Sequence, residues 1–232
     1  MSVVLVNASS VVPDSAMQVI VPALQTQVTR DLALAWPNTA TTVDFAPKDV
    51  QLADEMALII LNDSDQAEAL GYHDLTANSR PIGKVFVRSC QEAGEDWCTC
   101  ASHELLEMLC DPNIDRAIHT MYNGKPVITI QEVCDPVEGD TYPVGAYLLS
   151  NFVLSPFYGQ TALPGTKYDF LGRLSAPMTM DPGGYMSFQD AAGNWTQVFG
   201  ERVTTWRAKS PLGSRRERLR AGAHRWRKST AI

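Results

Sequence analysis

The apolar positions of the chain come in short runs rather than long ones. "SVVLVNAS" (residues 2–9) is β-branched and continuously apolar, and predicts a first strand. "DSAMQVIVPALQTQVTRDLALAW" (14–36) carries apolar residues at helical spacing and predicts a long helix capped by Asp14 or Ser15, with a kink or a late start at Pro22. "TTVDFAP" predicts a short strand, and "EMALIILND" a stronger one ended by an Asn-Asp turn. "GYHDLTANSRPIG" reads as loop and "GKVFVRSC" as the next strand. A helix from about Trp97 to Cys110 follows. "HTMYNGKPVITIQEVCDP" then places Asn-Gly between two strand-like runs, a hairpin signal. "AYLLSNFVLSPFYG" is strand or short helix, and "DPGGYMSFQDAAGNWTQVFG" a hairpin with its loop near Gly193. The expected class is α+β, with one mixed sheet and a small C-terminal β region. The expected division is residues 1–160, an extension at 161–206 and a tail at 207–232.

Within the second helix, "CASHELLEMLCDP" (100–112) sets a histidine and three acids among core residues. On a helical wheel with His103 at zero, Glu107 falls at about 40°, Asp111 at about 80° and Glu104 at about 100°. Leu105, Leu106, Met108 and Leu109 fill the opposite arc. His103, Glu107 and Asp111 are each four residues apart, so they stack along one line. Ligands at i and i+4 on a rigid helix converge on one point, which is what a metal needs. In H-E-x-x-H two histidines hold zinc while the glutamate beside the first activates water. Here "HELLE" is H-E-x-x-E. Asp111 precedes Pro112, where a helix ends, and a negative charge at a helix C-terminus opposes the macrodipole by about 0.3–1 kcal/mol. Three carboxylates on one face repel unless a cation sits among them. The alternative is a solvated acidic face.

A second acidic stretch, "QEVCDPVEGDTY" (131–142), follows an apolar strand and offers the distant third ligand that catalytic zinc sites often use. Glu132, at the end of the strand, is the first candidate and Asp135 the second. An acidic turn cornered at Asp135-Pro136 is the plain alternative. His73, in the loop, and His119, after the helix, are alternative third ligands. Cys90, Cys98, Cys100, Cys110 and Cys134 are odd in number and lack paired C-x2-C units, so free thiols are expected.

"SHELLEMLCDP", "EVCDPVEGD" and "LLSNFVLSPFY" together resemble a set of phage and bacterial metallopeptidase-like proteins with the pattern H-E-x-x-E-x-x-x-D-P and a later Glu-x-x-Asp turn. The order of elements before the helix is similar to that of zincins, on the metzincin side, in which a mixed sheet backs the metal-binding helix. The resemblance covers roughly residues 50–160. It implies His103 and Glu107 as metal ligands, Glu104 as general base, and a peptide or protein substrate. Where metzincins carry a glycine and a third ligand this chain has Cys110 and Asn113, so Glu132 or Asp111 must supply the missing ligand. Met178 or Met180 in "APMTMDP" can be likened to a Met-turn, but paired methionines before a turn are usually core.

One divalent ion, with zinc first and manganese or calcium behind it, is therefore expected, held among His103, Glu107, Asp111, Glu132 and Asp135. One imidazole and two carboxylates form a harder ligand set than two imidazoles and one carboxylate, which makes manganese, iron or calcium more competitive. In a non-catalytic calcium or structural-metal module Asp135, Glu138 and Asp140 would join the acids of the helix. A structural protein of a phage particle, keeping a vestigial site, is a third class. Composition changes the picture at one place. The net charge of −7 divides into a tail, 207–232, with nine basic residues against Glu217 (+8), and a remainder with 10 basic against 25 acidic residues (−15). The tail, with Trp226 available for stacking, suits nucleic acid or an acidic protein surface; a solvated tail is the plainer reading. No apolar run approaches a membrane span and no basic n-region precedes the first one, so a cytoplasmic or virion-associated protein is expected.

Overall fold

The structure, a computed structural model, describes residues 2–65 and 69–200. The basic segment 207–232, with the expectations attached to it, lies outside the described residues. Strand β1 (Ser2–Asn7) leads into helix α1 (Asp14–Thr26), a π-helical stretch (Gln27–Leu32) and a last short turn α2 (Ala33–Ala35). Strands β2 (Thr42–Pro47), β3 (Met56–Leu61), β4 (Gly71–Leu75) and β5 (Pro81–Phe86) follow, then helices α3 (Val87–Ala93) and α4 (Trp97–Cys110). The first sheet has the order β2-β1-β3-β5-β4: β1, β2, β3 and β5 run parallel, and β4 pairs antiparallel to β5 at the edge. The class is α+β with a mixed first sheet.

Alternation along β1 divides the interior. Val3 and Leu5 pack with Met17, Ile20 and Leu24 of α1 and with Leu105 and Leu106 of α4 in the main core. Val4 and Val6 turn to the other face, where a small cluster with Ala46 is covered by Leu52 and Ile59. Helix α4 crosses β3, β4 and β5, so it is held against the antiparallel edge of the sheet.

The long N-terminal helix departs from expectation at both ends. Its N-cap is Pro13, without a side-chain cap, and Asp14 instead accepts from Asn7 Nδ2 at 2.6 Å. Pro22 sits inside α1, and the irregularity comes five residues later as the π stretch. That stretch places buried Gln27 against α4: Ser102 Oγ donates to Gln27 Oε1 (2.7 Å), and Gln27 Nε2 donates to the Ser150 carbonyl (3.0 Å). Ser150 N closes the triangle on Ser102 Oγ at 3.1 Å.

Two expectations are corrected here. "GYHDL", read as loop, is strand β4, and "VRSC", read as the end of a strand, opens α3 (Val87–Ala93), which Gly94 closes in the left-handed region at φ 78°. After α4 come the hairpin β6 (Ala117–Tyr122) and β7 (Lys125–Ile130) around Asn123-Gly124, a 3-10 turn (Asp135–Val137), the pair β8 (Thr141–Val144) and β9 (Tyr147–Ser150), a second 3-10 turn (Ser155–Tyr158), and the hairpin β10 (Tyr185–Gln189) and β11 (Trp195–Phe199). β10 pairs with β7, giving a second sheet β11-β10-β7-β6 that continues across residue 160. Among the described residues no helix is long and apolar enough to cross a membrane. All five cysteines are free and buried.

Candidate metal centre

Helix α4 begins where Asp96 accepts from the Cys98 amide at 2.9 Å, an ordinary N-cap. From Cys100 to Cys110 every residue is buried, the acidic face included. His103 is 8% exposed, Glu104 6%, Glu107 0% and Asp111 3%. That burial removes the solvated-face reading. Buried carboxylates need partners, because an isolated charge in a protein interior costs several kcal/mol.

The partners come from three other segments. Asp135, at the start of the 3-10 turn after β7, brings Oδ1 to 3.2 Å from His103 Nε2. Glu107 Oε1 lies 3.3 Å from the same nitrogen and accepts from the backbone amides of Cys134 (3.2 Å) and Asp135 (3.3 Å). His73, on β4, approaches from the sheet edge: its Nδ1 is 3.6 Å from Glu107 Oε2 and 3.7 Å from Glu104 Oε2, and its Nε2 is 3.8 Å from Glu132 Oε2. Two groups with metal-ligand spacing result, His103–Glu107–Asp135 and His73–Glu107–Glu132, each with its ligand atoms within 4.8 Å of one another. Glu107 belongs to both.

The local backbone makes room for this arrangement. Gly71 and Gly83 belong to the β4–β5 pair and face α4 beneath Glu104. A Cβ on Gly71 would lie 2.8 Å from Glu104 Cγ and 2.9 Å from Glu104 Oε1; one on Gly83 would lie 2.7 Å from Leu58 Cδ1 and 3.8 Å from Glu104 Cβ. Two side-chain-free positions let the Glu104 carboxylate settle onto the sheet beside His73.

Of the expected ligands, His103, Glu107, Glu132 and Asp135 are brought together, with Glu104 alongside. Asp111 is not among them. It is the C-cap residue of α4, and its carboxylate accepts from the amides of Asp115 (3.1 Å) and Arg116 (3.3 and 3.2 Å). It holds the turn that follows the helix. Burial raises its pKa above the usual carboxylate range, against the pull of those amides. Glu138 and Asp140 join neither group, and Asp140 pairs with Arg173 at 3.2 Å. His119, on β6, is exposed. His73 is the residue the sequence placed in a loop and weighed only as an alternative ligand; the strand alternation of "GYHDL", which turns Gly71 and His73 to one face, was the available signal.

Electrostatics of the centre follow from its composition. Burial by itself would lower the His103 pKa; the pull of Glu107, Asp135 and Glu104 outweighs it and holds His103 well above its ordinary value. Four carboxylates (Glu104, Glu107, Glu132, Asp135) face two imidazoles in one buried space, so acidic groups outnumber basic ones there. The donor set fits a divalent cation. Ligand atoms 2.0–2.1 Å from a tetrahedral zinc stand roughly 3.3–3.4 Å apart. The His103 group has edges of 3.2 and 3.3 Å from one nitrogen, Nε2, whereas His73 meets Glu107 through Nδ1 at 3.6 Å and Glu132 through Nε2 at 3.8 Å. A cleft of about 200 Å³, counting its mouth, opens beside Glu132 and Asp135 and is lined by Phe157, Tyr158, Tyr185 and Met186. Comparison of the chain with protein-family models, curated proteins and solved structures returns no match.

Proposed function

We propose that the protein is a metal-dependent, metallopeptidase-like hydrolase, its ion held by His103, Glu107 and Asp135 and its general base Glu104. The observation that carries this reading is the buried His103–Glu107–Asp135 group, two of whose members stand four residues apart on a rigid helix while Glu104 sits beside the first. Support for the zincin-like resemblance comes from the mixed sheet behind that helix. A divalent ion bound there supplies Lewis acidity, bringing the pKa of water to about 7 when the ion is zinc. Glu104, 3.7 Å from His73 at its Oε2, accepts the proton from the attacking water and returns it to the leaving amine. The backbone amides of Cys134 and Asp135 fix the Glu107 carboxylate, so the ligand is oriented before an ion arrives.

An extended peptide suits the site as substrate. Among the described residues β4 pairs only with β5 in its sheet, and an edge strand offers backbone groups to an added strand. An imidazole in each group favours zinc or manganese over calcium, which prefers oxygen alone. The depth of the centre supports a second reading, a structural or vestigial metal site in an interaction protein such as a phage-particle component. Glu107 and Asp135 are 0% and 2% exposed, and only Asp135 of the two borders the cleft.

Elemental mass spectrometry of the wild type, His103→Ala and Glu107→Ala tests the metal. Bound zinc or manganese in the wild type, lost in both variants, is expected; a metal-free wild type, or unchanged content in both variants, refutes the reading. Glu104→Gln separates the two readings, since it should keep fold and metal while abolishing cleavage of a peptide library. A wild type that cleaves no peptide with zinc or manganese hands the site to the structural alternative.

A further inference from the structure

We infer that the centre binds two divalent ions, bridged by the Glu107 carboxylate, with His73 and Glu132 completing a second position that the one-ion reading leaves unused. The inference rests on the proposal of a metal at His103–Glu107–Asp135 and extends it. Three observations lead to it.

First, the two oxygens of Glu107 are divided. Oε1 faces His103 Nε2 at 3.3 Å, and Oε2 faces His73 Nδ1 at 3.6 Å on the opposite side. A carboxylate whose oxygens serve different imidazoles has the disposition of a bridge, and bridged ions in two-metal sites stand about 3.5–4 Å apart.

Second, the two groups are equivalent in kind. Each takes one imidazole, its own further carboxylate and a share of Glu107, and all five side chains are buried. His73 Nδ1 lies 3.6 Å from Glu107 Oε2 and Nε2 3.8 Å from Glu132 Oε2, and one ligand atom from each of His73, Glu107 and Glu132 falls within the reach of a single ion.

Third, the donors outnumber what one ion uses. With His103, Glu107 and Asp135 on one ion, Glu104 and Glu132 remain buried around His73, and a second cation there offsets carboxylates that burial would otherwise penalise.

The experiment is a titration of chelator-treated protein with manganese(II) chloride, followed by elemental analysis after gel filtration and by electron paramagnetic resonance. The wild type should retain two equivalents and show the signal of a spin-coupled pair, with half the hyperfine spacing of an isolated ion. His73→Ala and Glu132→Gln should each retain one equivalent and show only the isolated-ion signal, and so should His103→Ala. One equivalent in the wild type without coupling overturns the bridged pair while leaving the single centre standing. No bound manganese, with none on repeating the titration with zinc, overturns both. Two equivalents that persist in His73→Ala and Glu132→Gln place the second ion elsewhere and overturn the assignment. The wild-type resonance decides the matter even if a variant does not fold.

Discussion

Replacing Gly71 by alanine asks whether the space beneath Glu104 is what the glycine provides. At a strand position whose backbone any residue can adopt, Gly→Ala stabilises a protein by about 0.4–1 kcal/mol, because the unfolded chain loses freedom. Here the added Cβ meets Glu104 Cγ at 2.8 Å, Glu104 Oε1 at 2.9 Å and the Lys84 carbonyl oxygen at 2.9 Å. All three are closer than a Cβ tolerates, and Glu104 is only 6% exposed, so it has little room to retreat. Overpacking of this kind costs about 1–3 kcal/mol, and at about 2–4 °C per kcal/mol for a chain of this size it reverses the expected sign clearly. Two of the three close contacts belong to Glu104, so Glu104→Ala should relieve most of the strain. A double-mutant cycle by urea unfolding in the presence of chelator, with the wild type, Gly71→Ala, Glu104→Ala and the double variant, should return a coupling of about 1–2 kcal/mol. Additivity within about 0.5 kcal/mol, or a stabilised Gly71→Ala, would refute the packing argument and with it the placement of Glu104 against β4.

Asp111→Ala should lower stability by about 1–2 kcal/mol through the lost acceptor for the Asp115 and Arg116 amides and leave metal content unchanged; loss of metal in this variant would return Asp111 to the ligand set. Asp181, beside Asp140, carries a pKa pushed up to about 7 by burial first and then by that neighbouring carboxylate. Its folded pKa exceeds the unfolded one, so the folded state holds the extra proton between about pH 4 and pH 7, and stability falls as pH rises through that window. Asp181→Asn should therefore match the wild type at or below about pH 4 and exceed it at about pH 8 by on the order of 1 kcal/mol after solvent screening, read by thermal unfolding across pH; parallel profiles would refute the paired-carboxyl account.

Helix α4 was legible from its sequence because several signals agree there. The apolar arc from Leu105 to Leu109 faces one way and Asp111-Pro112 stops it, and the structure adds Asp96 as its N-cap. The hairpin at Asn123-Gly124 was legible for a similar reason: its turn residues take positive φ, 49° and 73°. Helix α3 was not, since its first residues, "VRSC", run on from the β-branched texture of β5 and only Gly94 marks its end. Asp111 was read through the helix dipole, which a negative C-terminus does oppose. The structure shows the competing local effect, a carboxylate that accepts from the amides just beyond the helix, and this needs no cation.

The site was half legible, and the division has a physical cause. His103, Glu104 and Glu107 lie on one helix, where spacing alone determines which side chains meet. Asp135 and Glu132 were reachable as candidates because acids clustered after a strand stand out from their apolar surroundings. His73 had neither advantage. It lies thirty residues before His103 on a short edge strand, between Tyr72, which packs on Phe86, and Asp74, in a segment ended by turn residues. Edge strands are short and polar because a long apolar edge would aggregate, so the composition that protects the edge also disguises it as a loop. Once β4 is a strand, the alternation that turns Gly71 and His73 to the α4 side follows, and the histidine enters a group of carboxylates that would otherwise hold one imidazole for four acids. The residue hardest to find by spacing is thus the one that gives the second group of acids its imidazole.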